Sequence, residues 1–84
     1  MGTAELRTAF NDVAAPLGIT ANRAELSYEQ HEGLQWQRLT FRGTDATGQP
    51  FVERSERLRP ETDVVAAARE VATRMVTAKE GTKP

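Results

Sequence analysis

Glu25, Glu29 and His31 fall at spacings of four and two in "RAELSYEQHE". On an extended chain that places all three side chains on one face, where Glu53 of a later strand could stand beside them. Two carboxylates and an imidazole in one patch could pass a proton between acid and base if neighbours held them there. The same spacing equally describes a solvated strand face flanked by arginines, and that is the reading adopted. No other set competes with it. Gly43 and Gly48 are loop glycines without the Lys-Ser that a phosphate loop requires. With no cysteine and a single histidine, the chain has no disulfide, no cysteine nucleophile and no multi-histidine metal site. The expectation is a protein that is not an enzyme and takes no cofactor or metal.

The arginines carry more information. "LQWQRLTF", Leu34 to Phe41, has apolar residues at 34 and 36 and again at 39 and 41, so its alternation changes phase. If Leu39 and Phe41 face the core, Trp36, Arg38, Thr40 and Arg42 lie on the opposite face, and Leu26, Tyr28, Val52 and Leu58 join the core. The open face then runs from Glu25 and Glu29 through Trp36, Arg38 and Arg42 to Phe51, Glu53 and Arg57. The alternative is a bulge near Gln37 that turns Leu34 and Trp36 inward. Tryptophan and arginine are enriched at binding hot spots, and an apolar centre with a charged rim is a common interface design. The candidate partner-binding set is therefore Trp36, Arg38, Arg42, Phe51, Glu53 and Arg57. A nucleic acid would instead use Arg38, Arg42, Arg54, Arg57 and Arg59.

These side chains have to be carried by a small number of elements. Leu6, Phe10, Val13 and Leu17 form one helical stripe, with Thr3 as N-cap and Pro16 and Gly18 closing the segment, which predicts a helix over about 3–15. Ala24, Leu26 and Tyr28 alternate with Glu25, Ser27 and Glu29, a half-buried strand over 23–31. "HEG" turns the chain into a second strand, 34–42, as an antiparallel hairpin. "GTDATGQP" is turn chemistry, and a third strand, 51–58, carries charges on both faces in the manner of an edge. Pro60 is placed for the first turn of a last helix, 60–78, with Glu61 and Asp63 near its positive end. Val64, Val65, Ala68, Val71, Ala72, Met75 and Val76 form its apolar face, with a Glu70–Arg74 pair on the flank, and the tail 79–84 is expected to fray.

Eighty-four residues with 38% hydrophobic and 27% charged side chains make one folded domain, 1–84, with one core. The predicted class is α+β: a three-stranded antiparallel meander with two helices packed on one face. A net charge of −1 gives no whole-molecule field toward nucleic acid or anionic lipid. "MGTAELRTAF" lacks a basic region and an apolar signal core, and Leu6 stands where a myristoylation motif wants Ser or Thr, so cytoplasmic residence is expected.

The order resembles the double-stranded RNA-binding domain from about Ala4 to Val76: a first helix ending in "PLGI", a hairpin, a third strand and the alanine-rich "VVAAAREVATRMV". That resemblance implies phosphate contacts at the second helix's start, minor-groove contacts from the first helix at Glu5 or Asn11, and a hairpin contact at His31. At the helix start this chain reads "RPETD", with Glu61 and Asp63 in place of lysines, so the carboxylates oppose the phosphates. The function expected is a small protein-binding module acting through its open sheet face or third-strand edge, as a homodimer or against a larger target. Compact chains of this kind resemble phage- and plasmid-borne inhibitors, anti-CRISPR proteins among them. The alternative is nucleic-acid binding through the strand arginines, and no membrane partner is expected.

Overall fold

The computed structural model describes residues 2–81. The chain runs through α1 (Thr3–Ala14), a 3-10 turn (Ala15–Leu17), β1 (Thr20–His31), β2 (Leu34–Thr44), β3 (Pro50–Arg54) and α2 (Val64–Gly81). The strands form one antiparallel sheet in the order β1-β2-β3. Leu6 and Phe10 of α1 and Ala68, Val71 and Ala72 of α2 share one core with Leu39 and Phe41 of β2, so both helices cover the same sheet face. This is the α+β, helix-strand-strand-strand-helix arrangement predicted from the sequence.

In α1 the buried residues Leu6, Ala9, Phe10 and Ala14 recur at helical spacing. Phe10 lies at the centre, its ring stacked on Phe41 at 4.5 Å and on Phe51 at 6.0 Å between centroids. Two details differ from expectation. The extended N-cap residue is Gly2, with Thr3 already helical. Leu17 is 44% exposed, because Pro16 tightens the chain into a 3-10 turn and Gly18, at φ 81°, redirects it into β1.

β1 begins at Thr20, earlier than expected, since α1 supplies a partner for its first residues. The Asn11 side-chain amide donates to the Ala21 carbonyl (3.1 Å) and accepts the Ala21 N–H (2.7 Å), acting as a short strand would. A bulge between Ala21 and Arg23 absorbs one extra residue. Glu32 and Gly33 both have positive φ, as a two-residue type I′ hairpin loop requires. The β2–β3 loop winds around Asp45, whose Oδ1 accepts the N–H of Thr47 and Gln49 and the Thr47 hydroxyl, and this sets the Thr44–Pro50 register.

β3 is shorter than expected, and its phase is the main correction. Gly43 pairs with Phe51 and Arg42 with Val52, so Phe51 and Glu53 lie on the helix side while Val52, 49% exposed, lies on the open side. The expected placement of Val52 in the core, and of Phe51 and Glu53 on the open face, is reversed. After Arg54 the chain bulges. Thr40 pairs with Arg54 but Gln37 with Leu58, one residue more on the β3 side, which returns Leu58 to the core side. Tyr28 does sit on the helix side of the sheet but is 63% exposed, not buried as predicted.

α2 starts at Val64 instead of residue 60. The Asp63 carboxylate accepts the N–H groups of Val65 and Ala66, at 3.0 and 3.3 Å, and caps it. Pro60 lies in the preceding turn, closed by Thr62 N–H to Arg59 C=O. Val64, Ala68, Val71, Ala72 and Met75 are buried as predicted, joined by Ala67. Among the described residues Glu70 and Arg74 form no ion pair; Arg69 instead approaches Asp12 of α1 at 4.0 Å. The helix continues through Gly81, three residues past the expected end at 78, and residues 82–84 of the expected tail lie outside the described residues.

Candidate functional site

The sheet has one face that no helix covers. Along β2 the alternation is regular: Gln37, Leu39 and Phe41 point to the core and are buried, while Trp36, Arg38, Thr40 and Arg42 point to the open side. There is no irregularity near Gln37. The apparent phase change arises because an amide, not a hydrocarbon, occupies a core position.

Gln37 holds that position through its bonds to the chain after β3. Its backbone exchanges both hydrogen bonds with Leu58, at 2.8 Å each. Its Nε2 donates to the carbonyls of Arg59 and Pro60, at 3.0 Å each. A strap, residues 55–60, is thereby fixed along the free side of β2. Ser55 anchors its start: the buried hydroxyl accepts the Leu39 N–H (2.9 Å) and donates to the Glu56 carbonyl (2.8 Å).

The strap brings two arginines onto the open face. Arg57 Nε reaches Glu29 Oε1 at 3.1 Å, and Arg38 Nη2 reaches the same oxygen at 3.2 Å. The Arg59 guanidinium lies over the Trp36 ring, 5.3 Å from its centroid, while the indole Nε1 donates to the His31 carbonyl at 3.3 Å. Trp36 is thus half-buried on the open face, under an arginine and not in the core. Arg42 pairs with Glu25 at 3.1 Å. Arg23 opposes Arg42, and Arg54 opposes Thr40, completing the face. Among the described residues neither Arg23 nor Arg54 makes an ion pair.

Six arginines, 23, 38, 42, 54, 57 and 59, therefore share the open side with two glutamates, 25 and 29. Leu34, 50% exposed, and Val52 add apolar surface to it. Of the expected partner set, the fold brings together Trp36, Arg38, Arg42 and Arg57 and separates Phe51 and Glu53 from them. All five arginines of the nucleic-acid set lie on this side, and Arg23 is an addition that the Arg23–Arg42 register reveals. Gln37 and Ser55, which hold the strap, were not singled out from the sequence; the only signal was the break in alternation at 37.

The acid-base set is not assembled. Glu29 and Glu25 are occupied by arginines, His31 is exposed with Glu32 at 3.8 Å, and Glu53 is on the other face. Among the described residues no group of three or more His, Asp or Glu could hold a metal ion. No helix among them is long and apolar enough to cross a membrane. Two of the positions compared with the RNA-binding domain are committed elsewhere: Asn11 to β1, and Asp63 to the α2 cap.

Fold and site together define a small α+β domain with an open, arginine-rich sheet face. No family model, curated protein or solved structure matches the chain.

Proposed function

We propose that this chain is a non-enzymatic protein-binding module that takes an acidic protein surface on its open sheet face. The observation that carries the reading is the convergence of six arginines, Trp36, Leu34 and Val52 on the one sheet face left uncovered. A surplus of four positive charges selects an anionic partner, and the exposed apolar side chains supply burial that charge alone does not. Glu25 and Glu29 hold three arginines in fixed positions, which lowers the entropy lost on binding. A small inhibitor that covers an acidic site on a larger protein would need a face of this kind.

A second reading, nucleic-acid binding, is favoured by the arginine surplus itself. It ranks lower because the two glutamates lie among the arginines, where each would repel a phosphate. The helix, three strands and helix also follow the order of the double-stranded RNA-binding domain. In that domain the second helix meets phosphate, and here that end is capped by Asp63.

The test compares capture from nuclease-treated extract of the source cells by the natural chain and by variants. Trp36→Ala and Arg54→Glu are expected to weaken capture of a specific protein by roughly 30-fold or more, as loss of a hot spot does. Arg74→Glu, on the outside of α2, should leave it unchanged. Equal capture by all three variants sinks the proposal. A gel shift with duplex or single-stranded nucleic acid that fades between two salt concentrations supports the second reading instead.

A further inference from the structure

The outer edge of β1 is the longest free backbone edge in the described structure. Its hydrogen-bonding direction follows from β2. Gln37 and Leu39 direct their backbone groups away from β1, toward Leu58 and Ser55. In an antiparallel pair the residues opposite them, Tyr28 and Leu26, must also point theirs away, and Ala24 and Gln30 follow by alternation. At Ala21, which has the same phase, Asn11 takes both outward groups. Among the described residues nothing bonds to the outward backbone of Ala24, Leu26, Tyr28 or Gln30, and such an edge is a template for another strand.

We propose that this edge pairs with the β1 edge of a second copy of the chain, antiparallel, about a two-fold axis at Leu26. Among the registers centred on residues 25 to 27, charge and parity select one. The backbone directions allow only pairings in which the outward residues Ala24, Leu26, Tyr28 and Gln30 face one another. Setting Leu26 opposite Tyr28 of the other copy would oppose Glu25 to Glu29. Setting Ala24 opposite Leu26 would oppose Glu25 to itself. Setting Leu26 opposite Leu26 does neither: Arg23 of each copy faces Glu29 of the other, and Glu25 faces Ser27. Arg23 is the exposed β1 arginine that makes no ion pair among the described residues.

The same register accounts for Tyr28. It sets Tyr28 beside Ala24 of the second copy, where a groove of about 420 Å³ is lined by Thr3, Ala4, Arg7, Asn22, Ala24 and Leu26, among others. The exposed phenol ring of one chain fills the groove at the α1 end of the other, and the half-buried Leu26 side chains meet on the axis. The two sheets become one of six strands, and their open faces become continuous. This interface draws on Arg23 and Glu29 at the β1 margin of the open face and leaves Trp36, Val52 and Arg54 to the acidic partner; the Trp36 and Arg54 variants that test that reading lie outside it, so either proposal can fail alone.

The chain has no cysteine, which makes cross-linking a direct test of register. In the proposed dimer the Leu26 Cα atoms are about 5.5 Å apart, within disulfide range. The Gln30 Cα atoms are roughly 27 Å apart, being offset by eight residues. Leu26→Cys is expected to oxidise to a covalent dimer, whereas Gln30→Cys, more exposed, stays monomeric. Light scattering should give twice the monomer mass for the natural chain, with dissociation favoured at least roughly tenfold by Arg23→Glu, which turns two ion pairs into two repulsions. Far-ultraviolet circular dichroism confirms that each variant is folded. A monomer mass up to millimolar concentration, or equal cross-linking of the two cysteine variants, overturns the proposal.

Discussion

Gln37 has a core position and a polar side chain, and its cost is offset because its amide and both backbone groups are bonded to the strap. Gln37→Leu would keep the volume and remove the amide donors. It should destabilise the fold by about 1–2 kcal/mol in urea titrations, the range for lost hydrogen bonds at a partly buried site. It should also loosen the strap, freeing Trp36 from Arg59, so the fluorescence of the only tryptophan shifts to longer wavelength. At this scale the sequence was half legible. Leu39 and Phe41 as core residues are legible, but the sequence leaves Trp36 between the open face and a bulge near Gln37 that would turn it inward; the register along β2 gives the open face. What could not be read was that a glutamine would complete the inward set, because its bonding partners lie about twenty residues away and are backbone carbonyls without side-chain identity.

Among the elements, β3 shows how one inserted residue decides which side chains meet. Leu58 toward the core and Arg57 toward the open side are both correct for the strap. Extrapolating that phase back through Ser55 to Phe51 fails, because the bulge between Arg54 and Leu58 reverses it. Nothing in "FVERSERL" marks the bulge except Ser55, a small side chain with a hydroxyl that can stand in for a strand acceptor. Ser55→Ala leaves the buried Leu39 N–H without a partner and should cost about 1–3 kcal/mol by chemical denaturation. The hairpin was easier to place, since "HEG" carries its own signal in Gly33. The sequence places the start of α2 four residues early because Pro60 resembles a helix start, whereas Gln37 binds the backbone of Leu58, Arg59 and Pro60, Pro60 lies in a turn and Asp63 performs the capping.

For the whole molecule, one aromatic contact joins the layers. Phe10 of α1 stacks on Phe41 of β2 and Phe51 of β3, and all three pack in the single core. Phe10→Ala should cost about 3–5 kcal/mol, enough to unfold a substantial fraction of so small a domain at 25 °C, as thermal melting would show. The same two-layer construction sorts charge. With four positive charges in excess on the open face and −1 in total, the rest of the chain carries a surplus of five negative charges. Such a separation is a permanent electric dipole whose axis passes through the sheet. Within roughly a Debye length, about 8 Å at physiological ionic strength, an acidic surface would exert a torque on it. The molecule would then arrive sheet first, its rotational search already narrowed before any side chain touches.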